Sequence, residues 1–155
     1  MMLSHVDDIA DHALFRRRFG CERIIHRREI RPAISGIERQ IVGDEPQFLS
    51  PDLLAIPTPG HTQGHMVLLY RERFLFTGDH LWWSPERQEL SASRAYCWYS
   101  WEKQSESMER LLAHRFEWVL PGHGRRHHAS AGQMHDALAR CVARMRQSRQ
   151  ILTQR

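Results

Sequence analysis

Apolar residues in this chain fall into short runs broken by glycine-bearing turns, with one long mixed stretch at the end. Residues 8–19 carry Ile9, Ala13 and Phe19 among their apolar positions and end at Gly20, which predicts an amphipathic helix with a glycine stop. Arg23-Ile24-Ile25-His26 reads as a short strand. Residues 37–42 and 53–56 are predicted strands joined by a turn at Gly43-Asp44-Glu45, and 66–70 with 74–76 a hairpin across Arg71-Glu72-Arg73. Residues 82–101, holding Trp82, Trp83, Tyr96, Trp98, Tyr99 and Trp101, read as irregular. A helix over 102–114 turns Met108, Leu111 and Leu112 inward, a last strand covers 118–120, and Ser130 caps a final helix running towards Leu152. Strands alternating with helices predict a layered α/β architecture.

Length and composition narrow the class. At 155 residues, 41% of them hydrophobic, the chain is expected to form a single domain over 1–155 with a real core. No apolar stretch is long enough for a membrane span, and Met1-Met2-Leu3-Ser4-His5 lacks the order of a signal peptide. Cys21, Cys97 and Cys141 are odd in number and widely spaced, which suits reduced thiols and a cytoplasmic location. The net charge of +4 comes mostly from arginine, in Arg16-Arg17-Arg18, Arg27-Arg28, Arg125-Arg126 and the last helix. Such patches are either solvated helix faces or a surface for nucleic acid.

Candidate chemistry lies in three turns: Pro59-Gly60-His61-Thr62, Thr77-Gly78-Asp79 and Pro121-Gly122-His123-Gly124. Each follows an apolar run. Glycine lets the backbone turn sharply and approach closely, and a strand holds the following side chain rigidly. With the histidine and aspartate cluster of Ser4-His5-Val6-Asp7-Asp8-Ile9-Ala10-Asp11-His12, these turns point to a metal centre.

Taken together, these motifs resemble the metallo-β-lactamase superfamily, with its H-x-H-x-D-H cluster, PGHT-type histidine, GD aspartate and PGH-type histidine in that order. The resemblance runs from about Leu3 to the start of the last helix. It implies an αββα sandwich. In the family several strands precede the first motif, whereas here that motif starts at His5, so the N-terminal half-sheet is expected to be largely missing. A sheet face left open by that truncation would need a cover, which predicts a homodimer or other self-association.

The first motif departs from the family pattern. Asp7 stands where the second histidine belongs, and the aspartate-histidine pair arrives two positions late as Asp11-His12. Asp7 is read equally as a ligand or as a helix cap, and Asp8 as a cap more than as a ligand. The resemblance implies that His5, Asp7 and His61 hold one metal, that Asp11, His12 and His123 hold a second, and that Asp79 bridges them. Zinc suits this ligand set, with iron or manganese as alternatives. Asp79 and Asp11 are the expected catalytic residues. The implied reaction is hydrolysis of a small ester, thioester or lactone by metal-bound hydroxide. A nuclease and a non-catalytic metal-binding remnant are the alternatives, since one fold serves many chemistries. His65 and His80 are read as support for the ligands or as packing, and His26 as packing or a substrate contact. His114, His127, His128 and His135 are expected to be solvated. The aromatic segment is core, interface or the wall of a substrate pocket.

Overall fold

The computed structural model describes all residues except Asp8, Ala10, Gln154 and Arg155. Helix α1 (His12–Phe19) precedes a small parallel pair, β1 (Ile24–His26) and β2 (Arg39–Ile41). The strands β3 (Gln47–Ser50), β4 (Leu53–Pro57), β5 (Met66–Tyr70) and β6 (Phe74–Gly78) follow as an antiparallel meander. After a second hairpin of β7 (Trp82–Ser84) and β8 (Glu89–Ser91) comes helix α2 (Trp101–Arg110). Then β9 (Trp118–Pro121), β10 (His127–His128) and the long helix α3 (Ala131–Thr153) complete the order.

The main sheet has the order β10-β9-β6-β5-β4-β3. β4 is antiparallel to β5, β5 to β6, and β6 is parallel to β9. Hence β4, β6 and β9 all run in one direction, and the three turns that follow them lie at one edge of the sheet. The crossover from β6 to β9 carries the β7–β8 hairpin and α2.

Side chains alternate across this sheet. Ile56, Val67, Leu69, Leu75 and Val119 face one way and pack with Met108 and Leu111 from the α2 region and with Met134, Leu138 and Met145 from α3. On the other face the β1–β2 pair covers one end, where Ile24 and Ile41 pack on Met66 with Leu49. Farther along that face Leu68, Tyr70, Phe74, Trp118 and Leu120 are only part-buried, and Phe76 is 42% exposed. Rings of Tyr70, Phe74, Trp118 and His128 stack in a row across it, with centroids 6.2, 6.4 and 4.5 Å apart.

Several elements differ from expectation. The first helix begins at His12 because Asp11 sits in the left-handed region at φ 62°, so Asp7 does not cap it, and Asp8 lies outside the described residues. Gly20 does end it, its amide donating to the Arg16 carbonyl at 2.8 Å. The partner of β4 is β3 rather than the 37–42 segment, because Pro51-Asp52 makes the tight turn that the longer 43–45 link was expected to supply. Residues 82–91, read as irregular, form a hairpin around Pro85-Glu86-Arg87-Gln88, with Gln88 at φ 51°.

Candidate metal centre

His61, Asp79 and His123 leave the sheet edge from the turns after β4, β6 and β9, and their side chains converge. Asp79 Oδ2 lies 3.8 Å from His61 Nε2 and 3.7 Å from His123 Nε2. The N-terminal segment brings His5 to the same place: Ser4 accepts from the Met66 amide at the start of β5, and His5 Nε2 lies 3.5 Å from Asp79 Oδ2. Asp7 Oδ2 approaches His61 Nε2 at 3.4 Å. His5, Asp7 and His61 each offer a ligand atom within 4.8 Å of the others.

Close backbone approaches make this convergence possible. The Gly122 amide donates to the Gly78 carbonyl at 2.6 Å, locking the β6 and β9 turns together, and a Cβ at Gly122 would lie 2.7 Å from Asp79 Oδ1. Gly60 sits directly on α2, where a Cβ would meet Gln104 Cβ at 2.3 Å.

Protonation is legible at His61. Its Nδ1 is 2.5 Å from the Tyr96 carbonyl, which can only accept, so Nδ1 carries a proton and Nε2 is the ring nitrogen turned towards Asp7 and Asp79. His5 and His61 are 5% and 3% exposed, yet among the described residues the Nε2 atom of each has no hydrogen-bond partner. Buried polar nitrogens left unpaired are costly, and two of them aimed at carboxylates fit a divalent cation, which would satisfy both at once. Burial pushes the Asp79 carboxyl up, but its contact with His5 and the charges of His5, His123 and His61 outweigh this and hold it below the ordinary range. The group is therefore anionic at neutral pH, as a ligand must be.

Behind this cluster a row of imidazoles runs inward. His65 lies with its ring 5.2 Å from His5 and 5.1 Å from His80. Burial, then the charges of His80, His5 and His61, keep His65 neutral, and burial pushes His80 down to about 3. His65 Nδ1 pairs with Thr58 Oγ1 at 2.9 Å.

In front of the cluster lies a cavity of about 1100 Å³, lined by Asp7, His61, Asp79 and His123 and walled by Trp82, Tyr96, Trp98 and Tyr99. The aromatic segment is held there by its backbone. The amides of Trp98 and Tyr99 donate to the His61 carbonyl at 2.9 and 3.1 Å, and that of Ser100 to Gly60 at 3.0 Å. Thr62, Gln63 and Arg31 also line the cavity and were not singled out in the sequence. Thr62 and Gln63 could have been, since they belong to the ligand turn itself, whereas nothing near Arg31 in the chain signals its place.

Asp11 and His12 are placed elsewhere. They line a separate shallow depression with Leu14 and Arg17, and Arg23 Nη1 donates to His12 Nδ1 at 3.0 Å. The left-handed Asp11 sets the direction of α1 so that His12 faces Arg23, which is itself bound to Glu38. The expected second ligand group is thus not assembled around His123, whose side chain is 72% exposed at the cavity mouth.

The remaining histidines divide. His26 is buried with Nε2 donating to the Gly43 carbonyl and Nδ1 accepting from the Arg28 amide, so it packs and does not line the cavity. His127 is half-buried against expectation, its ring stacked on Trp83 with centroids 3.6 Å apart, whereas His128 is exposed as expected, with one face on Trp118 at 4.5 Å. His114 is half-buried at the β3 end of the helical face, and His135 is exposed beside Asp136.

A sequence profile described as Metallo-beta-lactamase superfamily matches residues 4–142. A hydroxyacylglutathione hydrolase of Rhizobium etli is 32% identical over 101 residues, which cover 64% of this chain but only 39% of that protein. Among solved structures, the B3 metallo-beta-lactamase BLEG-1 superposes with a TM-score of 0.66 at 21% identity, over 87% of this chain and 73% of that one. ETHE1 from Myxococcus xanthus gives 0.65 at 20% identity, over 92% and 62%. TTHA1623, in a di-iron-bound form, gives 0.61 at 17% identity, over 88% and 74%. These likenesses establish the αββα-type fold expected from the motifs.

Proposed function

The chain belongs to the metallo-β-lactamase superfamily, and from that premise we propose that it is a metal-dependent hydrolase of small esters, thioesters or lactones. The observation that carries this reading is the pair of buried, unpartnered Nε2 atoms of His5 and His61 facing Asp7 and Asp79. His5, Asp7, His61 and Asp79 would hold the ion, with His123 at the open side. Zinc suits these nitrogen and oxygen donors, with iron or manganese as alternatives.

A divalent ion held there supplies Lewis acidity and, by acidifying water to a pKa of about 7, a nucleophile at neutral pH. The chain's own residues do the rest. Asp79 presents a carboxylate oxygen between three histidines, where it would orient the attacking water. The Tyr96 carbonyl fixes the ring of His61 through Nδ1. Trp82, Tyr96, Trp98 and Tyr99 offer an aromatic wall for an acyl or aryl group. That wall favours a small organic substrate over a nucleic-acid backbone, since among the described residues Arg31 is the one arginine or lysine that lines the cavity.

As a whole-molecule reading, we propose one domain over 1–155, a cytoplasmic location and a two-fold dimer. Among the described residues no helix is long and apolar enough to cross a membrane. The dimer contact would use the sheet face of Leu68, Tyr70, Phe74, Phe76 and Trp118. The test of function is elemental analysis of protein purified without chelator, followed by turnover of activated aryl esters and thioesters with and without the metal. Bound metal together with metal-dependent turnover is the expected result. Stoichiometric metal without turnover of any such ester would refute the hydrolase reading.

A further inference from the structure

We infer that Glu29 is a positioning residue of the metal centre, clamping together the two loops that carry its ligands. This rests on reading the His5, Asp7 and His61 cluster as a metal site. Glu29 closes a short 3-10 turn (Arg27–Glu29) just after β1, and its side chain is 0% exposed. Both carboxylate oxygens are spent on backbone amides of the ligand loops. Oε2 accepts from Val6 N–H at 2.9 Å, and Oε1 accepts from Gly64 N–H at 2.6 Å. Val6 lies between His5 and Asp7, and Gly64 lies between His61 and His65.

The energetics single this residue out. A buried carboxylate is expensive unless it is fully hydrogen-bonded, and here two amides, not a cation, provide the bonds. Charge-assisted bonds of this kind are about twice as strong as neutral ones. They also close a geometric loop, since one rigid side chain spans two segments otherwise remote in the chain. The turn beneath is itself pinned, with His26 Nδ1 accepting from the Arg28 amide at 3.1 Å and Nε2 donating to the Gly43 carbonyl at 3.0 Å. The fit leaves no slack: a Cβ on Gly64 would lie 2.8 Å from His26 Nδ1 and 2.9 Å from Glu29 Cγ. A metal site tolerates errors of only about 0.2 Å in its bonds, so a clamp that sets the separation of the two loops sets whether Asp7 and His61 can share an ion.

The experiment compares the full chain with Glu29→Gln, and with the exposed Glu45→Gln as control. Gln keeps one acceptor but points an NH2 group at the other amide, so one arm of the clamp opens. Chelator competition should show metal binding about 10- to 100-fold weaker in Glu29→Gln, with unchanged far-UV circular dichroism. The ligand-field bands of the cobalt(II)-loaded variant should shift, a signature that mere loss of stability would not produce. Affinity within two-fold of the parent and an unchanged cobalt spectrum would overturn the proposal. If the variant does not fold, hydrogen exchange on the unsubstituted protein decides. Slow exchange at both Val6 and Gly64 amides supports the clamp, and exchange as fast as their exposed loop neighbours overturns it. A parent chain that binds no metal at all is a distinct result: it removes the metal reading, and the proposal with it, before any variant is compared.

Discussion

Replacing Gly60 by alanine isolates the fit between the His61 turn and helix α2. The added Cβ would lie 2.3 Å from Gln104 Cβ, 2.4 Å from its Cα and 2.6 Å from its N, against ordinary contacts of 3.4–4 Å. Two of those atoms are helix backbone, so no side-chain rotation relieves the clash. The turn and helix must separate by about 1 Å, at a typical overpacking cost of about 1–3 kcal/mol. The larger effect falls on the metal. The carbonyls of Gly60 and His61 anchor the 98–100 amides, so the whole turn moves with His61. Zinc–nitrogen bonds are about 2.0–2.1 Å long, so a shift near 1 Å would take His61 out of reach of an ion in the proposed site. We expect metal affinity to fall at least ~100-fold, about 2.8 kcal/mol, measured by chelator competition, alongside urea unfolding of the metal-free protein. Gly132→Ala serves as the control. It lies in α3 with nothing within 4 Å of the new Cβ, and should be neutral or stabilising by up to about 1 kcal/mol. A Gly60→Ala protein whose stability and metal affinity both match the parent would refute the close-approach argument.

Asp79→Ala should remove most of the bound metal, whereas His128→Ala, whose ring stacks on Trp118 away from the site, should leave it in place; elemental analysis distinguishes the two. Phe76→Glu, on the part-open sheet face, should convert a dimer to monomer in sedimentation equilibrium. A monodisperse 18.3 kDa parent at micromolar concentration would refute the dimer. Burial pushes the Cys141 thiol up from 9.0 to about 11, so its neutral form stabilises the fold fully below pH 9 and that contribution is lost as pH rises through 11. At pH 8, thiol reagents should therefore label Cys21 and Cys97 well before Cys141 in native protein, and equal rates would contradict its burial.

Much of the centre was legible in the sequence because it is built from local units. A strand, a glycine turn and a ligand within a few residues announce His61, Asp79 and His123 wherever the strands end up. The direction of β4, β6 and β9, which brings those turns to one edge, depends on pairing between segments far apart in the chain. The N-terminal motif shows how little spacing decides alone. Asp7 reaches His61, while His12, a few residues on, is turned towards Arg23 after the left-handed Asp11. The hairpin inside 82–91 escaped notice because its strands are three residues each and its turn has no glycine. Glu29 carries no local signal either, since its partners lie 23 and 35 positions away. The sequence by itself determined which side chains could bind a metal and which backbone points could turn sharply, because rotamers, glycine freedom and hydrophobic alternation are properties of short segments. Only the tertiary structure decided which of those side chains share one space, because that depends on sheet pairing, on the packing of α2 against Gly60 and on a buried carboxylate joining two loops.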